Sequence, residues 1–150
     1  SMILSITKKM PKKVEINAIF KYSNKIADYV NVILHFEKKV IAIINSDWVS
    51  PYKEHRFSVL GSNGSLVFDD IQDWPKKLIY NPSFINNDKK ITYKPEININ
   101  VKKYEPLKKE IEAFLICVEN KVVPVTNVEE ALNVQIVLNM IEQKLKEKYY

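Results

Sequence analysis

The spacing of apolar residues changes once along this chain, and that change limits the folds open to it. Up to about Lys102 apolar side chains alternate with polar ones; from Pro106 onward they recur every three or four residues. Alternation is the mark of strands half buried on one face, and the longer period is the mark of amphipathic helices. "VEINAIF" (Val14 to Phe20) and "DYVNVILHF" (Asp28 to Phe36) both alternate. "EKK" then leads into "VIAIINSDW" (Val40 to Trp48), which predicts a hairpin. "RFSVLG", "SLVFDD", "KKLIYN" and the run Glu96 to Lys102 read as further short strands, with "INNDKK" (Ile85 to Lys90) as a polar loop.

Two helices follow. Leu107, Ile111, Phe114, Leu115 and Val118 share one face of the first, with Pro106 at its first position. Thr126 with Glu129 three residues on predicts a capping box for the second, whose stripe is Val134, Val137, Leu138, Ile141 and Leu145. Strands first and helices afterwards give an α+β fold: an open, mainly antiparallel sheet with helices packed on one face. The expected organisation is an N-terminal tail over 1–13 and one domain over 14–150.

The other sheet face constrains the partners. "VIAIIN" is apolar on both sides, with Ile41 and Ile43 facing away from Val40, Ala42 and Ile44, and Tyr29 and Ile33 extend that second face. Two helices cannot cover both sides of a broad sheet, and an exposed apolar face marks a contact surface. A homodimer, sheet against sheet, is expected unless the N-terminal segment or a loop folds over the face.

Several function classes are disfavoured. The net charge is +5, yet among 23 basic residues only Arg56 is an arginine. Arginine is the usual bidentate reader of phosphate and guanine, and the lysines are scattered in pairs, so no nucleic acid partner is expected. No apolar run approaches the ~18 residues a membrane span needs. The single cysteine, Cys117, fits a reducing compartment, hence a cytoplasmic location. His35 and His55 lack a third ligand at useful spacing, so no metal site is expected.

The only two glycines, Gly61 and Gly64, frame "GSNG". A dinucleotide fingerprint needs three glycines between a strand and a helix, and a strand follows here, so "GSNG" reads as a hairpin turn. Asp69 and Asp70 at the end of that strand read as a solvated turn. "NSDWVSPYKEHRF" (Asn45 to Phe57) gathers aromatic, amide, hydroxyl and ammonium groups, which suit a sugar or other polyol. A polar loop with its Trp anchored in the core would carry the same residues.

In order, the strand ending in "SDWVSP", the "VLGSNGSLVFDD" hairpin, "EPLKKEIEAF" and the "VVPVTNVEEALNVQIVL" helix entry carry a family resemblance. From about Val14 to Lys146 the chain resembles the C-terminal domain of the glucose-fructose oxidoreductase/inositol dehydrogenase (Gfo/Idh/MocA) oxidoreductases. Within that family the pattern is nearest to enzymes acting on sugars or nucleotide-linked sugars. The resemblance implies NAD(P)-dependent hydride transfer at a sugar carbon, with the cofactor held on an N-terminal Rossmann domain and the open sheet face used for subunit contacts. This chain shows no such domain, and "MILSIT" looks like the end of the helix that carries the family's catalytic histidine. No catalytic or cofactor-binding residue is therefore assigned, to His35 and His55 least of all. Asn45, Trp48 and Lys53 are the expected substrate contacts. The chain is expected to bind no cofactor and to be inactive without its missing half, supplied in the same polypeptide or by another. The competing expectation is a non-enzymatic dimeric module that binds a sugar or a protein.

Overall fold

The computed structural model describes residues 1–85 and 90–150. The centre of the expected "INNDKK" loop lies outside the described residues. The fold class is α+β, as expected, and its strands divide into two antiparallel sheets. The chain likewise resolves into two compact units, 1–50 with 113–150 and 51–112.

The first unit holds helix α1 (Met2–Thr7) and strands β1 (Lys13–Ile19), β2 (Tyr29–His35) and β3 (Ile41–Asp47). The strands pair in the order β1-β2-β3, so the hairpin expected around "EKK" forms, its turn using left-handed backbone at Lys38 and Lys39. Register follows from burial. Val14, Leu34 and Ala42 stand opposite one another, as do Ile16, Val32 and Ile44, and these rows face the core. Shifting any strand by one residue would turn those side chains to the solvent face.

Helix α3 (Val128–Tyr149) covers this face, and its Val137 completes the buried cluster of Val14, Ile16, Val32, Leu34 and Phe36. Met140, Ile141 and Leu145 pack beside it. Leu138, expected in that stripe, is instead exposed. Ile3, Leu4 and Met10 also pack against the cluster, so residues 1–13 contribute to the core. The end of α3 protects the free edge of β1: the Tyr149 hydroxyl accepts from the Ala18 N–H at 2.8 Å, and Lys148 Nζ donates to the Ile16 carbonyl at 2.8 Å. Groups left open there would template pairing with another chain.

The cap of α3 differs from expectation by one residue. Asn127 is the N-cap, its Oδ1 accepting from the Glu130 N–H at 2.9 Å, where Thr126 with Glu129 was expected. The stretch "TNVEE" offers two cap-and-glutamate pairs in adjacent frames, and asparagine caps at least as well as threonine. Asn127→Ala is expected to lower stability by about 1 kcal/mol and Thr126→Ala by far less, as read from thermal unfolding.

The second unit contains β4 (Arg56–Gly61), β5 (Gly64–Asp69), β6 (Leu78–Ile85), β7 (Ile91–Tyr93) and β8 (Ile97–Asn98). The order is β4-β5-β6-β7, with β8 also paired to β6. "GSNG" is the β4–β5 turn, closed by pairing of Gly61 with Gly64. Strand β7 was not legible as a strand, because three residues are too few to show alternation.

Helix α2 (Pro106–Asn120) starts at the expected proline, yet it carries no buried residue. Leu107, Ile111, Phe114, Leu115 and Val118, the stripe expected against the sheet, are all more than half exposed. Cys117 is half-buried. No helix among the described residues is long and apolar enough to cross a membrane.

Candidate functional site

Strand β3 carries the first three residues of the polar segment singled out in the sequence, and its register sets what Asn45 can meet. Asn17, Asn31 and Asn45 stand opposite one another across the three strands, on the face away from α3. Asn45 Oδ1 accepts from Asn31 Nδ2 at 2.7 Å and from the Tyr29 hydroxyl at 3.0 Å. The row is bordered by apolar residues: Ile33 pairs with Ile43, His35 with Ile41, and Tyr29 with Ile19. Ile19, Ile41 and Ile43 are 58%, 55% and 62% exposed, so neither the N-terminal segment nor a described loop covers this face.

Trp48 follows β3 and projects into solvent, 64% exposed, which excludes the reading of an anchor in the core. Its ring lies edge-on to that of Tyr22, itself 68% exposed, with centroids 6.3 Å apart. Asp28 holds both residues by their backbones. Its Oδ2 accepts from the Lys21 N–H and from the Tyr22 N–H at 2.9 Å, and its carbonyl accepts from the Trp48 N–H at 3.4 Å. Asp28 is only 3% exposed, and its Oδ1 has no partner among the described residues. A buried carboxylate with an orphaned oxygen is costly, and groups of this kind recur where position matters more than stability.

Asn45 and Trp48 thus share the first unit, whereas Lys53 is exposed and lies in the second. Tyr22, Asp28, Tyr29 and Asn31 were not among the expected contacts. The parity that puts Tyr29 and Asn31 on the open face with Asn45 was available in the sequence. Nothing local marked Tyr22 and Asp28, because their roles depend on how the β1–β2 loop closes.

Both histidines have acidic neighbours. His35 Nε2 lies 3.0 Å from Glu15 Oε1, and His55 Nδ1 lies 3.2 Å from Asp70 Oδ2. Lys13, hydrogen-bonded to Glu15, is the main reason that carboxyl sits below its ordinary range. Lys77 does the same for Asp70, with His55 assisting. Asp69 corrects the expectation of a solvated pair: it is 6% exposed, and its Oδ2 accepts from Arg56 Nη2 at 3.0 Å. Burial pushes the Asp69 carboxyl upward, but hydrogen bonds from Arg56 and the Ile71 N–H, with the guanidinium charge, leave it below its ordinary 3.8. Its folded value being the lower one, ionised Asp69 stabilises the fold fully above pH 3.8, and that contribution is lost as the pH falls through the folded value. Acid unfolding followed by circular dichroism should therefore show a stability loss below this pH that is smaller in Asp69→Asn. Among the described residues no group of three or more His, Cys, Asp or Glu could hold a metal ion.

With this geometry in hand, the chain can be set beside known proteins, and the family likeness lies in its first part. Residues 1–67 match the family model of the GFO/IDH/MocA C-terminal domain. The resemblance read from the sequence is borne out there. No curated protein matches the chain. Among solved structures, the fold is similar to part of the UDP-N-acetylglucosamine 3-dehydrogenase GnnA from Acidithiobacillus ferrooxidans, with a TM-score of 0.71 and 13% sequence identity. That match covers 95% of this chain and 42% of the dehydrogenase, so the chain spans less than half the length of the protein it resembles. The GFO/IDH/MocA match includes α1, the whole β1–β3 sheet, the Asn45 row and the Tyr22–Trp48 pair.

Proposed function

We propose that this chain is the substrate-binding and dimerisation part of an NAD(P)-dependent dehydrogenase acting on a sugar or nucleotide-linked sugar, and that it is inactive without the cofactor-binding part. The observation that carries this reading is the GFO/IDH/MocA C-terminal match over a sheet whose open face joins hydrogen-bonding amides to exposed isoleucines. The likeness in fold to the UDP-N-acetylglucosamine 3-dehydrogenase supports the substrate class. The glycines favour the same division of labour. Gly64 opens β5 directly after the two-residue turn of Ser62 and Asn63, packed against the β6 backbone, where a pyrophosphate has no helix N-terminus to meet.

In this reading the sheet supplies a wall of fixed amide and hydroxyl groups, while hydride donor and acceptor are aligned by the cofactor part. The exposed isoleucines bury against a second copy, which removes apolar surface from water at roughly 25 cal/mol per Å². Calorimetric titration of the chain with NAD and NADP is expected to give no binding heat, and a dehydrogenase assay with nucleotide sugars no turnover. Saturable NAD binding or turnover by this chain alone would overturn the assignment.

A further inference from the structure

The Tyr22–Trp48 pair has features that a site for subunit contact alone does not require. Two large rings, each about two-thirds exposed, are held 6.3 Å apart at an interplanar angle of 62°. They form two walls of a corner open to solvent. The β1–β2 loop that carries Tyr22 is fastened at several points: the Asp28 N–H donates to the Ile19 carbonyl, the Asp28 carboxylate accepts two backbone N–H groups, and Ser23 Oγ accepts from the Lys25 and Ile26 N–H groups. Lys21 Nζ stands 5.5 Å from the centre of the Tyr22 ring. The corner therefore offers apolar ring faces beside an ammonium, with the Tyr22 hydroxyl and the Trp48 indole N–H making no hydrogen bond among the described residues.

We infer that the Tyr22–Trp48 corner is a stacking site for the ring of a pyranose sugar, the C–H face of the sugar lying on an aromatic ring and its hydroxyls meeting the indole N–H, the phenol and Lys21. Pyranose chemistry fits better than a flat aromatic ligand. A pyranose has an apolar C–H face and a rim of hydroxyls, and this corner has an apolar wall with a rim of donors. A flat aromatic ring would use the wall and leave most of the donors without an acceptor. This inference rests on the sugar-binding reading above and names where the sugar sits.

The test is a two-dimensional NMR titration of the full chain with N-acetylglucosamine and methyl β-glucoside, using uridine diphosphate as a flat-ring control. The indole signals of the two tryptophans are assigned with Trp74→Phe. Expected is a saturable movement of the Trp48 indole signal with either sugar and little with the control. Tyr22→Ala should weaken the affinity about tenfold, and Tyr22→Phe, which keeps the ring, should retain most of it; the remaining spectrum shows that both variants fold. Sugar-dependent shifts elsewhere with Trp48 unmoved would overturn the inference and leave the proposed function standing. Absence of any sugar-dependent shift would remove both. Movement of Trp48 with uridine diphosphate as large as with sugar, or with protein concentration alone, would assign the corner to a flat ring or to a second copy and overturn the inference.

Discussion

Gly64→Ala is expected to destabilise the protein by at least about 3 kcal/mol, and Gly61→Ala by no more than about 0.5 kcal/mol, although the two glycines close the same turn. Gly64 has a φ of +136°, a conformation L side chains rarely adopt. A Cβ there would lie 2.3 Å from the Asn81 carbonyl oxygen and 3.0 Å from both Pro82 Cα and the Ser83 nitrogen. All three are backbone atoms of β6, so relief requires moving the strand rather than turning a side chain. At Gly61 the nearest atom would be 3.7 Å away, an ordinary contact. Urea unfolding of the two variants measures the difference. Equal effects would mean that the close approach of β5 to β6 does not fix this hairpin.

Leu34→Ala carries the second large effect, an expected loss of about 3–5 kcal/mol. Leu34 is the least exposed residue of the core, at 2%, and it stands between Val14 and Ala42 in the middle strand of its sheet. Neighbours on both sides belong to paired strands, which limits collapse into the void. Leu60 is the matched control: it also lies on a strand, but it is 83% exposed, and truncating it should change stability by less than about 0.5 kcal/mol. Thermal unfolding of both variants tests the assignment of the core to the face beneath α3.

The parts of the fold that were legible in the sequence are those in which one period runs for at least six residues. Alternation in Val14 to Phe20, Asp28 to Phe36 and Val40 to Trp48 gave β1, β2 and β3, and it correctly put Ile41 and Ile43 on the face opposite Ala42 and Ile44. "GSNG" was legible as a turn because glycine supplies the positive φ that Gly64 adopts. Strand β6 extends through Pro82 to Ile85, beyond the expected end at Asn81, because proline argues against a strand until its neighbours' pairing is known. The distribution of strands into two sheets was not legible, since alternation fixes faces and not the order in which strands meet. Helix α2 kept its proline start, but periodicity cannot say what covers an apolar stripe, and here the stripe stays exposed.

The candidate site divides in the same way. Asn45 was singled out because β3 changes abruptly from apolar to polar, and Trp48 because an aromatic amid amides and hydroxyls is conspicuous. Asp28 escaped because a carboxylate at a strand start looks like a solvated loop residue; only the closed loop shows it gripping the backbones of Tyr22 and Trp48. Lys53 was chosen on composition, and it lies in the second unit.

Sedimentation velocity of the wild-type chain beside Ile43→Lys tests most directly the claim that the uncovered side of the three-stranded sheet binds a second copy. The account predicts a dimer for the wild type and a folded monomer for the variant, since a charge at this 62% exposed position would be buried unpaired on association. A wild-type chain that stays monomeric at the highest concentration reached, or a variant that dimerises as well as the wild type, would contradict it.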